Sequence, residues 1–404
     1  MNAATEQKHS GKMLLVGIVL IAANLRAPFT AMPPLLGAIR TDYALSTVAT
    51  GVLTALPLLA FALMSPFSAA LARRYGLERM LFCALAGIAL GLMLRSAGAV
   101  WSLYAGTCII GMGIAIGNVL LPSLVKREFS QRITSVTAFY ALSMGVAAAI
   151  GSALVTPLAE VVGWQPALLW FLILPLAALV IWKRQLSRIT SPTIAAAAPA
   201  RERKVWQSPL AWQVTLFLGL NSTIYYVAIG WLPTILVDTG MTPARAGSLH
   251  GILQLATAVP GLILGAILSR LKDQRTIAAA VCVLSAAALL GFVLYPQQAL
   301  VWAILFGLGT GAGIILGLAL IGLRTADAHQ AVALSGMAQC VGYLLASIGP
   351  PAIGRLHDAL GGWQVPLMLC VILALVAAFM GTLAGRARVI DAYRHGQEAV
   401  RATY

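Results

Sequence analysis

Residues Met13–Leu36 read MLLVGIVLIAANLRAPFTAMPPLL, an apolar run long enough to cross a bilayer as a helix. One charge, Arg26, lies halfway along it, and Pro28, Pro33 and Pro34 follow. Prolines at that depth break or bend a helix and free carbonyls to line a cavity. A cation there costs at least a few kcal/mol unless it is paired or faces water. All twelve acidic residues fall in loops or at the ends of apolar runs, so no acidic partner within the membrane is at hand. Such a charge points to a ligand that is anionic or rich in hydrogen-bond acceptors. The run is too long for a signal h-region and lacks a small-residue cleavage site.

The same pattern recurs along the chain. Apolar runs near 13–36, 48–72, 79–98, 100–124, 133–159, 166–182, 210–237, 246–269, 275–294, 299–323, 329–354 and 363–385 predict twelve membrane helices. Sixty per cent apolar residues, ten per cent charged residues and a mean hydropathy of +0.89 agree. The runs are continuous, without the period-two alternation of a β-barrel.

The net charge of +15 raises the question of nucleic acid, and its distribution answers it. With the N-terminus inside, only Arg40, Arg95, Arg245 and Arg355 fall in outside segments. Arg26 is in the membrane and every other Lys and Arg is inside. This is the positive-inside bias of a multi-pass membrane protein with both termini in the cytoplasm. Nucleic acid is not an expected partner; the lipid bilayer is. Five scattered cysteines without CxxC spacing or clustered histidines read as small buried apolar groups, so no metal or other cofactor is expected.

The hydrophilic stretch 185–209 divides six runs from six. It predicts a cytoplasmic N-terminus (1–12), a six-helix bundle (13–184), a cytoplasmic linker (185–209), a second bundle (210–385) and a basic cytoplasmic tail (386–404). Trp206 is placed to sit at the membrane interface. Motifs repeat between the halves at a shift of 196–199 residues: Gly111, Gly113 and Gly117 as Gly307, Gly309 and Gly313; Gly163-Trp164-Gln165 as Gly362-Trp363-Gln364; Arg74 and Arg79 as Arg270 and Arg275; Asn24 as Asn221. The fold class is therefore an all-α integral membrane protein of twelve helices in two pseudo-symmetric bundles, with a site near the midplane between them. The glycine runs lack a following Gly-Lys-Ser/Thr and lie inside apolar spans. They read as close helix packing, not as a phosphate cradle, and no use of ATP is expected.

Four groups of polar residues are candidates for that site. They are Asn24 with Arg26; Asn221, Tyr225, Tyr226 and Trp231; His250 with Gln254; and Ser335, Gln339 and Tyr343 at four-residue spacing. Asn118, beside Gly117, is a weaker candidate. The alternative for the amides is a tie between neighbouring helices, and for the aromatics packing or interfacial anchoring. For Arg26 it is a clamp on helix-end carbonyls, and for His250 it is solvation near the outer surface. With no buried carboxylate, proton coupling is either absent or carried by His250.

Asn24-Leu25-Arg26, Ser208–Leu236, Ala246–Leu262, Lys272-Asp273-Gln274-Arg275 and Ala328–Pro351 resemble the cyanate-permease branch of the major facilitator superfamily over essentially the whole chain. The loop Ala69–Arg79 is similar to the superfamily's signature loop, but Arg73 stands where its Asp is expected. The resemblance implies a secondary transporter, functional as a monomer, that moves a small planar electron-rich solute. That solute is a nitroimidazole carried outward or, alternatively, cyanate or another small organic anion taken up. Arg26 suits a nitro group or an anion, and the aromatics suit a flat ring. A membrane-embedded hydrolase is disfavoured because no nucleophile–base set faces across the spans. A receptor is disfavoured because no loop is long enough for a signalling domain.

Overall fold

The computed structural model describes residues 3–186, 205–268, 270–326 and 328–390, and the regular structure among them is helical. Among the described residues, twelve helices are long and apolar enough to span a membrane. They are α1 (Met13–Asp42), α2 (Thr47–Ser65), α3 (Leu77–Arg95), α4 (Val100–Glu128), α5 (Ser135–Val162), α6 (Trp164–Gln185), α7 (Pro209–Asp238), α8 (Pro243–Gly265), α9 (Arg275–Leu294), α10 (Pro296–Leu323), α11 (Gln330–Leu360) and α12 (Gln364–Ala384). Each overlaps one predicted run. The linker and tail expected at 185–209 and 386–404 lie largely outside the described residues, and the unit boundaries drawn there remain our proposal.

Large apolar side chains project from the bundle: Trp170 is 65% exposed, Ile348 63% and Phe379 58%. A belt of this kind is an aggregation surface in water and a matched surface in hydrocarbon.

The internal repeat is legible contact by contact. A Cβ on Gly111 would lie 2.7 Å from Pro57 Cα and 3.0 Å from Ala60 Cβ. On Gly307 it would lie 2.6 Å from Leu253 O and 2.7 Å from Ala256 Cβ, the same two positions of α8 as of α2. Gly113 meets α3 at Ala84 O, and Gly309 meets α9 at Val281 O. The repeated glycines thus seat α4 and α10 against two neighbours each, because removing a side chain lets backbones approach closely in lipid. Large and small residues also exchange places. Arg95 lies over Gly106 in the first half, and Trp302 lies over Gly291 in the second.

The halves meet where α2 packs on α11 and α5 on α8. We call the side where α1 begins the terminal face. Close contacts between the halves lie toward the opposite face. A Cβ on Gly51 (α2) would lie 2.6 Å from Pro351 Cα and 2.8 Å from Pro350 O of α11. At the matching position of α8, a Cβ on Gly247 would lie 3.0 Å from Ser152 O of α5. Thr47 Oγ1 donates to Asp358 Oδ1 at 2.5 Å across the first of these seams.

α1 is not continuous. Its first helix ends at Asn24, and a short helix Ala27–Thr30 follows with Pro28 in its first turn. Pro28 has no N–H to continue the ladder. The break is held from the side: Arg95, fully buried at the end of α3, donates from Nη1 to Pro28 O at 2.9 Å. Arg95 is thus a buried cation, where the sequence reading placed it among the outside segments.

Candidate substrate site between the halves

On the terminal side of the two seams lies a cavity of about 330 Å³, walled by α1, α2, α4 and α5 of one half and by α7, α10 and α11 of the other. The α1 break puts Arg26 into its wall, partly exposed. Arg26 Nη1 donates to Tyr225 OH at 2.9 Å, and its guanidinium carbon lies 5.7 Å from that ring's centroid. Among the described residues no carboxylate pairs with it.

Two edge-to-face aromatic pairs bridge the halves here. Phe29 meets Tyr226 at 5.9 Å and 75°, and Phe61 meets Tyr343 at 5.3 Å and 74°. Tyr226 and Tyr343 are themselves 6.3 Å apart. Each pair sets a first-half phenyl against a second-half phenol, the offset geometry that ring quadrupoles favour. Asn118, Tyr140, Ser222 and Gln339 add hydrogen-bonding groups to the wall, and none of the lining residues is acidic. An aromatic chamber with one unpaired fork of donors and no negative charge suits a flat acceptor-rich solute and repels an organic cation.

Of the residues singled out from sequence, the structure gathers Arg26, Asn118, Tyr226, Gln339 and Tyr343 at the cavity. Tyr225 is fully buried behind it and touches its wall through Arg26 and the Tyr226 ring. The others lie elsewhere. Asn24 is fully buried and turns its amide onto Leu20 O of its own helix at 2.8 Å. Asn221 ties α7 to α10 by donating to Thr310 O at 3.1 Å, wedged against Gly313. Trp231 donates to Pro350 O at 2.9 Å and stacks toward Trp363. Gln254 and His250 are fully buried between α8 and the other half, so His250 is not solvated at the surface.

The equivalence expected for the two asparagines also shifts by one residue. Gly117 receives Leu25 as Gly313 receives Asn221, so Asn221 corresponds to Leu25, and Arg26 corresponds to Ser222. Asn221→Ala is therefore expected to lower stability by about 1 kcal/mol and leave solute binding unchanged. Thermal melting and a binding titration on the same variant check this.

Phe29, Phe61, Tyr140 and Met144 escaped the sequence reading. Ser222, which lies in the run Asn221–Tyr226, lines the cavity, and the 196-residue shift anchored on the glycines lands on it from Arg26.

Comparison with known proteins agrees with this architecture. A family model described as Major Facilitator Superfamily matches residues 14–347. The chain is 53% identical to the 2-nitroimidazole transporter of Escherichia coli (strain K12), over 94% of this chain and 98% of that one. It is 28% identical to the cyanate transport protein CynX of the same organism, over 89% of this chain and 94% of that one. The crystal structure of a bacterial homologue of the human lysosomal transporter Spinster, inward-facing and unoccupied, shares the fold with a TM-score of 0.75 at 14% identity, over 93% of this chain and 97% of that one. These relatives are transporters, not enzymes. Twelve apolar helices, two repeated bundles and a family match across most of the length lead to one conclusion: this chain is a multi-pass membrane transporter that belongs to the major facilitator superfamily.

Proposed function

We propose that the protein exports a small planar electron-rich solute of the 2-nitroimidazole kind by alternating access around Arg26. The observation that carries this reading is an unpaired guanidinium in the wall of an aromatic cavity with no acidic residue. The nitro group would take the guanidinium fork, and the ring would lie among Phe29, Phe61, Tyr226 and Tyr343. The kinship to a 2-nitroimidazole transporter supports the solute class. In this reading the terminal face is cytoplasmic, the membrane is a bacterial inner membrane, and the protein works as a monomer without ATP.

A second reading, uptake of cyanate or another small organic anion, draws on the same lone cation and on the likeness to the cyanate transport protein. Tryptophan quenching on purified protein, with 2-nitroimidazole, cyanate and small carboxylates side by side, separates the two. Saturable quenching by 2-nitroimidazole alone is expected, and response to the anions alone would favour uptake.

His250 is the proposed proton carrier, since no carboxylate among the described residues lines the cavity. Its neighbours are Ser152, Gln254 and the Ile229 carbonyl. In proteoliposomes a pH gradient is expected to drive accumulation by the wild type and not by His250→Gln. Accumulation that survives the substitution removes His250 from coupling.

A further inference from the structure

Arg26 belongs to a closed ring of hydrogen bonds that crosses between the halves twice. Arg26 Nη1 donates to Tyr225 OH at 2.9 Å, and Tyr225 OH donates to Gln254 Oε1 at 3.0 Å. Gln254 Nε2 and His250 Nε2 are 3.4 Å apart, and His250 Nδ1 and Ser152 Oγ are 2.9 Å apart. Ser152 Oγ donates to Thr30 O at 2.9 Å, and Thr30 Oγ1 returns to Arg26 O at 3.1 Å. Ser152 spends its one hydroxyl proton on the Thr30 carbonyl, and the imidazole also faces the Ile229 carbonyl, so the sense of the two His250 contacts is set by its tautomer.

The ring is confined to one seam. At the matching positions of the other seam, Gly51 rests on Pro350 and Pro351, and Thr54 stands where His250 stands in α8. Thr54 turns its hydroxyl onto Gly51 O of its own helix at 2.8 Å. One seam is closed by shape and by Thr47–Asp358. The other is closed by a polar clasp wired to the cavity's guanidinium.

We infer that Ser152, remote from the cavity, is a positioning residue of the transport cycle: with His250 it clasps α5 to α8, and solute binding at Arg26 loosens that clasp through Tyr225 and Gln254. This rests on Arg26 as the solute anchor. A nitro group that takes the guanidinium shifts it, and the phenol, still accepting from Nη1, turns with it. Gln254 Oε1 then loses its donor in a buried place, where an unmade hydrogen bond is costly. Opening the seam relieves that cost, because the groups it holds then meet water. The terminal side binds and the opposite side releases, the order an exporter requires.

Thr156 supplies a reporter. It is 4% exposed beside Gly247, lies at the floor of a vestibule on the opposite face, and its hydroxyl has no hydrogen-bond partner. Thr156→Cys in a background without the native cysteines keeps that packing and reacts with an impermeant maleimide only as the seam opens. Saturating 2-nitroimidazole is expected to speed labelling about fivefold, the weight of one net hydrogen bond. Adding Ser152→Ala is expected to give a similar acceleration with no solute present. Tyr225→Phe should still bind 2-nitroimidazole while its labelling rate no longer responds to it. If Ser152→Ala does not fold, His250→Phe removes the same bond from the other half and carries the same expectation.

Unchanged labelling in the solute-free Ser152 or His250 variant overturns the clasp. So does 2-nitroimidazole that binds the parent and leaves its labelling rate unaltered. Absence of 2-nitroimidazole binding to the parent defeats the solute assignment instead, and the solute-free comparison still decides whether the clasp exists.

Discussion

Arg26→Ala is expected to cut affinity for 2-nitroimidazole by about 10- to 100-fold, the weight of a lost charge-assisted hydrogen bond. Arg26→Lys should retain part of the binding. It keeps the charge and loses the planar fork that matches two oxygens at once. Stability should move little or rise. Among the described residues the guanidinium has no carboxylate partner to strand, and Tyr225 keeps its bond to Gln254 after the substitution. A structural clamp would behave in the opposite way: every variant would melt lower, and affinity would be unchanged in what folds. Binding isotherms and melting curves on the same two variants decide between these. A well-folded Arg26→Ala that binds and transports at wild-type levels would end the proposed role.

Gly51→Ala should arrest the cycle. Its new Cβ would lie 2.6 Å from Pro351 Cα and 2.8 Å from Pro350 O, both backbone atoms that cannot rotate away. The clash is between halves, so the molecule escapes it by parting them, not by unfolding. Overpacking of this kind costs about 1–3 kcal/mol, enough to shift the balance between the two faces by about 5- to 150-fold. We expect a transport rate reduced at least about fivefold, a nearly unchanged melting temperature and faster labelling of a Thr156→Cys reporter. Gly106→Ala provides the contrast. Its Cβ meets the Arg95 backbone inside one half, so the cost falls on folding and the melting temperature drops. A Gly51→Ala protein that melts low and labels slowly would show that this contact is ordinary packing.

The helices were legible because a bilayer demands long unbroken apolar runs, and the repeat was legible because glycines that seat neighbouring helices leave the same spacing in both halves. The site was legible only where chemistry was out of place, as at Arg26. α7 shows why the rest was hidden. It is buried on nearly all sides, 83% of its most apolar window, so no face of its sequence stands out as the one that lines a cavity. Asn221 and Tyr226 therefore looked alike, although one ties two helices and the other lines the cavity. Phe29 and Phe61 carried no mark because a phenyl facing lipid and a phenyl facing a cavity are the same letter. Ser152 and Thr30 were passed over for a related reason: helical hydroxyls ordinarily satisfy themselves on their own backbone, as Thr54 does. Arg95 read as a loop residue because it ends its run, and only the fold turns it inward onto the α1 break.

In the proposed mechanism, a central guanidinium with no carboxylate partner among the described residues makes the carrier an electrical device. When the empty protein changes face, the field across the membrane acts on that cation, with up to about 2.3 kcal/mol per 100 mV for a full crossing of the field. A neutral nitroimidazole leaves the charge in place, so voltage weighs equally on the loaded and the returning step. An anion cancels it, so voltage weighs on the return alone. In the proposed topology an interior-negative potential holds the empty cavity toward the cytoplasm, where an exporter must wait for its solute. Transient currents from the protein in a planar bilayer, recorded with and without solute, would read the net charge of the bound species directly.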